Sequence, residues 1–305
     1  MFKRFAFLIL AIGTSAQAET PAVAADILPV HGLVSAVMGD LGTPDLIIPP
    51  GQNTHRATLR PSQAKTVKDA NVIFWIGPDN TPWLEDALTQ IGAASTKVPL
   101  LEHPDTRTYS FRENAVFEDH DDHEHEHEHD HGDQSHDPHA WMDPENAQRW
   151  LSIIAEALSQ ADPENADQYR ANADTTARKI ATLQAEIQAQ IAPLQDVPYL
   201  VDHDAYQYFE ESFGISPLGA VTLADAESPS AAHMVELQSL VKTENIRCIF
   251  VEPNGNANLS NRLLEGTNAK IAELDPMGRN LQPGPNFYPV FLEKIAKDLV
   301  GCLQG

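Results

Sequence analysis

Along most of the chain, short apolar runs alternate with stretches whose apolar residues recur every three or four positions. That alternation marks β–α units built around parallel sheets, an α/β fold class. Strand-like runs in the first half cover residues 45–48, where Pro49 and Pro50 stop the run, 71–77 and 97–101, and helical patterns cover 61–69 and 82–91. The second half repeats the scheme, with strands predicted at 199–201, 218–221, 247–251 and 270–274. Helices are predicted there at 205–213, 231–243, 261–266 and 289–303.

The sequence DPENA occurs at 143–147 and again at 162–166. Each copy reads as a helix start, with Asp as N-cap, Pro at the first helical position and Glu in the first turn. From the second copy a helix is predicted over residues 163–191, ended by Pro193. Its positions Tyr169, Ala173, Thr176, Ile180, Leu183, Ile187 and Ile191 fall on one face. At 1.5 Å per residue it would span ~43 Å, enough to cross a domain. The expected organisation is therefore a first lobe over 19–160, a stiff connector over 161–193 and a second lobe over 194–305.

Charge and the two ends of the chain change this picture in three ways. The net charge of −24 is unsuited to nucleic acid or anionic lipid but could concentrate cations. Lys3 and Arg4, the apolar residues 5–12 and the A-x-A site Ala16-Gln17-Ala18 read as a signal peptide over 1–18. No run is long enough to span a bilayer, so an exported, soluble, monomeric protein of charge −26 is expected once Lys3 and Arg4 are removed. Cys248 and Cys302 are the only cysteines, and in an exported protein such a pair points to a disulfide. It would close a loop of 55 residues, for which loop entropy predicts ~4 kcal/mol, and would pin the last helix to an inner strand.

Candidate chemistry lies just after predicted strands. His55 follows the run at 45–48, His203 ends YLVDH, Asp275 follows IAEL, and His139 precedes the DPENA helix. Ligands of open parallel sheets bind beyond the carboxyl ends of the strands. Three imidazoles and one carboxylate meeting there would make a tetrahedral site suited to Zn²⁺. Spacing alone also allows four unrelated surface residues.

The blocks LIIPPGQNTHRATLRPSQAKTVKDANVIFWIGPDNTPWLEDAL, HDPHAWMDPENA, VDHDAYQYFEESFGI, IRCIFVEP and GTNAKIAELDPMG resemble, in order, periplasmic zinc-binding proteins of ABC importers. The resemblance covers nearly all of the mature chain. It implies two (β/α) lobes joined by a long rigid helix, a metal site in the interlobe cleft, and an ABC permease as partner. It also implies that His55, His139 and His203 are the zinc imidazoles, with Asp275 in the position of a carboxylate ligand. Some relatives carry Glu just before the first His, where this chain has Thr54, so the fourth ligand is Asp275 or water. Manganese-binding relatives usually have a carboxylate in place of the third His; His203 favours zinc.

Eight of the 13 histidines lie between His120 and His139, and ten of the 44 acids between Glu118 and Asp137. Residues 118–137 are too polar to fold and are expected to form a disordered loop. His120, His123, His125, His127, His129, His131 and His136 then make an auxiliary, weak zinc trap, or else a solvated spacer with no role in affinity. HEHEH at 123–127 matches the metalloprotease pattern H-E-x-x-H, but with no apolar face it cannot form the packed helix that such a site needs. His31, His103 and His233 read as satisfied or solvated, and Trp75, Trp83, Trp141 and Trp150 as packing. Asp202 and Asp204 flank His203 as caps, solvated acids or orienting groups. An exported zinc hydrolase, a periplasmic metal buffer and a manganese-binding homologue are the alternative functions.

Overall fold

In the computed structural model, residues 20–305 are described except 56, 113, 115, 118–135, 224–228 and 254–256. The expected signal peptide and most of the acid- and histidine-rich segment therefore lie outside the described residues. The first half forms a parallel sheet from β1 (Val23–Ala25), β2 (Asp45–Leu46), β3 (Val72–Trp75) and β4 (Thr96–Pro99), in spatial order β2-β1-β3-β4. The second forms β5 (Tyr199–His203), β6 (Ala220–Thr222), β7 (Cys248–Val251) and β8 (Lys270–Glu273), ordered β6-β5-β7-β8. The two orders are the same winding, so each sheet has a switch point between its first and third strands. β3, with all four residues buried, shows why the inner strands read as continuous apolar runs: both faces are covered.

The helices are α1 (Leu28–Met38), α2 (Pro61–Asp69), α3 (Pro82–Gln90), α4 (Pro144–Ala161), α5 (Ala166–Ile191), α6 (Gln207–Phe213), α7 (Ala231–Thr243), α8 (Ala257–Leu263) and α9 (Phe287–Leu303). The first DPENA behaves as the sequence predicts: Pro144 opens α4, and the Asp143 carboxylate accepts from the Glu145 amide at 2.7 Å. The second does not. Asp162 Oδ2 instead accepts from Tyr169 Oη (2.9 Å) and Asn165 Nδ2 (2.7 Å), Pro163–Asn165 form a 3-10 turn, and α5 begins at Ala166. The buried tyrosine hydroxyl thereby finds an acceptor instead of being left unpaired. α5 runs 26 residues, ~39 Å. Its predicted face is buried at every position except Leu183, which is half-buried.

β1 and α1 are absent from the sequence-based expectation. All eleven residues of α1 are buried, so it has no polar face and no helical periodicity to read. Gly32 makes that burial possible, since a Cβ there would lie 2.8 Å from Cδ1 of Phe287 on α9. α8 starts four residues earlier than the pattern suggests, and its Ser260 hydroxyl donates to Asp202 at 3.0 Å.

α5 packs along α4 and against α1 and α9, so the last helix of the second half also rests on the first. One core cluster runs through both sheets and these helices; a smaller one lies around Leu200, Val221 and Ile249 on the other side of the second sheet. Cys248 and Cys302 form a disulfide, tying α9 to the inner strand β7 as expected. No helix among the described residues is long and apolar enough to cross a membrane.

The disulfide yields a direct test. Native protein should weigh two hydrogens less than its reduced form, and thiol reagents should label Cys248 and Cys302 only after reduction. Reduction is expected to lower stability in urea unfolding by about 2–5 kcal/mol.

Candidate metal centre

The switch point of the second sheet builds half of the site. His203 is the last residue of β5 and Glu252 the first after β7, and these neighbouring strands bring the pair together. The Nδ1 of His203 lies 2.8 Å from Glu252 Oε1. The other carboxylate oxygen, Oε2, accepts from Arg279 Nη2 at 2.7 Å, while Arg279 Nη1 donates to the Pro253 carbonyl at 2.6 Å. Burial alone would raise the Glu252 carboxyl; the hydrogen bond and charge of His203, with the nearby Arg279 and His139, pull it down to about 2. Glu252 is therefore an anion that holds the ring with its Nε2 turned away from it.

His139 is held in the same way. Its Nδ1 lies 2.7 Å from Asp137 Oδ1, and its own amide donates to that oxygen at 3.0 Å. Both residues are 2% exposed. Trp141, in the 3-10 turn that His139 opens, packs edge-on against the imidazole and donates its indole N–H to the Pro276 carbonyl at 2.8 Å.

His55 comes from the long loop after β2. Gln63 of α2 fixes that loop by donating to the Ile47 carbonyl and to Gln52 Oε1, both at 3.0 Å. The indole of Trp83 donates to the Thr54 carbonyl at 2.7 Å, next to His55 itself. Trp83 and Trp141 thus do more than fill space. His31 and His233 are satisfied by the carbonyls of Pro44 and Ala220, as the sequence reading held.

His55, His139 and His203 meet. Among the described residues they are the group of His, Cys, Asp and Glu side chains that could hold a metal ion, with one ligand atom from each lying within 4.8 Å of the others. Their ring centroids are 5.0 Å apart for His139–His203, 5.8 Å for His55–His139 and 6.2 Å for His55–His203. The trio lines a cleft of about 230 Å³ between the carboxyl ends of the two sheets, together with Asn53, Glu252, Met277 and Arg279.

Asp275 is not part of this group. Its oxygens cap the turn after β8, Oδ1 accepting from the Met277 amide (3.0 Å) and Oδ2 from the Arg279 amide (2.6 Å). Pro276 and Met277 face the cleft instead. Of the loop histidines, His120, His123, His125, His127, His129 and His131 lie outside the described residues. His136 is described, away from the trio, with its amide donating to Asp79 Oδ2 at 2.9 Å.

Residues 23–302 match the family described as zinc-uptake complex component A, periplasmic. The chain belongs to that family. It is 42% identical to the high-affinity zinc uptake system protein ZnuA of Paracoccus denitrificans, covering 97% of each chain. It is 35% identical to the protein of the same name from Brucella suis, covering 100% of this chain and 98% of the relative. A crystal structure of ZnuA superposes with a TM-score of 0.78 at 20% identity, over 93% of this chain and 99% of that one. The laminin-binding protein of Streptococcus agalactiae gives a TM-score of 0.77 at 21% identity, over 93% and 99%. At those identities the structures attest the shared two-lobed fold.

Sequence reasoning missed Asp137 and Glu252. Glu252 obeys the same rule that singled out His203, a polar side chain at the carboxyl end of a parallel strand; the chain neighbours Asp202 and Asp204 have other partners. Asp202 accepts from Ser260, and Asp204 pairs with Arg112 at 2.9 Å. Replacing Glu252 by Gln removes the anion that orders His203. Metal affinity is expected to fall roughly tenfold, in the range typical of lost ligand-orienting groups, in a titration against a competing chelator; unchanged affinity would exclude this role.

Proposed function

We infer that this chain captures Zn²⁺ in the periplasm through His55, His139 and His203 and hands it to the permease of an ABC importer. Family membership supports the transport role, and the chain is a solute-binding component rather than an enzyme. The observation that carries the site is the convergence of three imidazoles, two of them with Nδ1 already engaged by a buried carboxylate. A nitrogen-only donor set suits Zn²⁺ over the harder Mn²⁺. The fourth position falls to Asp275 or water; each Asp275 oxygen accepts one backbone amide and keeps a second lone pair. Both carboxylates that approach the imidazoles hold rings, a use that differs from the general base a zinc hydrolase needs.

The same reading assigns the lobes to residues 19–160 and 194–305 and the connector to 161–193, with the protein acting as a monomer. Within the expected loop 118–137, Asp137 is instead buried against His139, and residues 118–136 serve as a weak auxiliary zinc trap. Its histidines sit among carboxylates that attract the cation but also favour protonated imidazole, so the trap weakens as pH falls through about 6.5.

Replacing His55, His139 or His203 by Ala is expected to lower zinc affinity at least about tenfold each, because water substitutes poorly for a positioned imidazole. Competition with a chelator measures this, and wild-type affinity in any one variant removes that residue from the site. A strain lacking the gene should starve for zinc under chelation, which a mere metal buffer would not cause.

Deleting residues 119–134 should leave one tight zinc ion per protein and abolish weaker binding. Loop chelation must order backbone at about 1–2 kcal/mol per residue, whereas the cleft is already built. Calorimetry on both proteins decides, and loss of the tight phase would reverse the assignment.

A further inference from the structure

Asp137 has every polar group engaged, and two of its four partner residues, Gln207 and Tyr208, belong to the second half. Oδ1 holds His139. Its amide donates to the Tyr109 carbonyl at 2.9 Å, and its carbonyl accepts from Tyr208 Oη at 2.7 Å. The same Tyr208 oxygen accepts from the Tyr109 amide at 3.1 Å. The side-chain amide of Gln207 lies against two acceptors, Asp137 Oδ2 at 3.0 Å and the Ser110 carbonyl at 3.2 Å, so its nitrogen faces both. Gln207 and Tyr208 are the first two residues of α6, four and five positions after His203.

We propose that Gln207 is a positioning residue for metal capture: it fixes Asp137, and through Asp137 it sets His139 relative to His203. His139 belongs by sequence to the first half, yet its orienting carboxylate is fastened to a helix of the second. His139 and His203 thus form one prearranged pair referenced to the β5–α6 unit. His55, on its own loop, is the ligand that completes the site. The ring separations follow this division, the His139–His203 pair being the closer one. The neutral amide is the suitable group for the task, because it supplies two donors to two acceptors. A carboxylate at that position would face Asp137 with like charge.

This inference rests on the zinc-site reading above, and the experiment separates the two. Zinc affinity is measured by chelator competition for the wild type and for His139→Ala, Gln207→Met, Asp137→Ala and the double variant Gln207→Met/Asp137→Ala. Visible spectra of the Co²⁺-loaded proteins and melting of the metal-free proteins accompany each. Gln207→Met is expected to bind zinc roughly tenfold more weakly, with altered Co²⁺ bands and an unchanged metal-free melting temperature. In the Asp137→Ala background the same change should cost nothing further, because the path from Gln207 to His139 is already cut. Gln207→Asn, which keeps the amide but shortens its reach, is the second variant should the Met form fail to fold, and should show the same loss to a smaller degree. Wild-type affinity in a folded Gln207 variant, or an equal loss on top of Asp137→Ala, overturns the proposal while leaving the zinc site intact. Full affinity in His139→Ala overturns the site reading itself, and the proposal with it.

Discussion

An imidazole offers a lone pair to a cation only from the nitrogen that carries no proton, so a histidine site depends on what happens at the other nitrogen. In two of the three rings here, Nδ1 lies within 2.8 Å of a buried carboxylate, which in the neutral ring keeps the proton on Nδ1 and the lone pair on Nε2. Burying those carboxylates is costly unless each is paired. Arg279 answers the charge of Glu252 through one guanidinium nitrogen and locks onto the Pro253 carbonyl through another. Asp137 is answered by neutral donors, the Gln207 amide and the His139 backbone. Much of the polar architecture around the cleft follows from keeping these two anions satisfied away from water.

That requirement also explains the stiffness of the frame. A carboxylate that must meet both a ring nitrogen and a second donor tolerates little displacement. Continuous packing of α1, α4, α5 and α9 across the halves, with the disulfide tying α9 to β7, restricts how far the sheets can separate. A second tie is made by Arg107 and Arg112. Arg107 bonds Glu145 at the start of α4, and Arg112 bonds Asp204 and Glu210 on the other lobe, with the Phe117 ring under its guanidinium. Burial holds Glu210 above the usual carboxylate range even though Arg112 pulls it down. Breaking this triad by removing Arg112 alone would strand two buried acids.

Much of this was legible in the sequence, for physical reasons that differ from part to part. The parallel sheets announced themselves because two-sided burial demands unbroken apolar runs, as in VIFW of β3. The long helix showed a single apolar stripe since only one of its faces is covered. α1 stayed hidden because full burial erases the contrast on which periodicity depends. The three histidines were recoverable from their place after strands and from the family blocks. Asp275 follows its strand as expected, and its oxygens cap the turn after β8. Whether a carboxylate faces a cleft or caps its own turn depends on two or three residues of local backbone, which a pattern cannot resolve. Asp137 and Glu252 were passed over because their partners lie two and 49 positions away, and neither spacing is a recognised ligand motif.

Residues on either side of the histidine-rich segment are fastened to folded structure. On the leading side, the Phe117 amide donates to the Leu218 carbonyl at 2.9 Å, and Val116 bridges Gly219 at the edge of the second sheet. On the trailing side, His136 bridges Ser110 and donates to Asp79 of the first lobe. Three residues later the chain reaches His139. Both flanks are therefore tied to folded structure, the trailing one immediately beside a proposed ligand and its orienting acid.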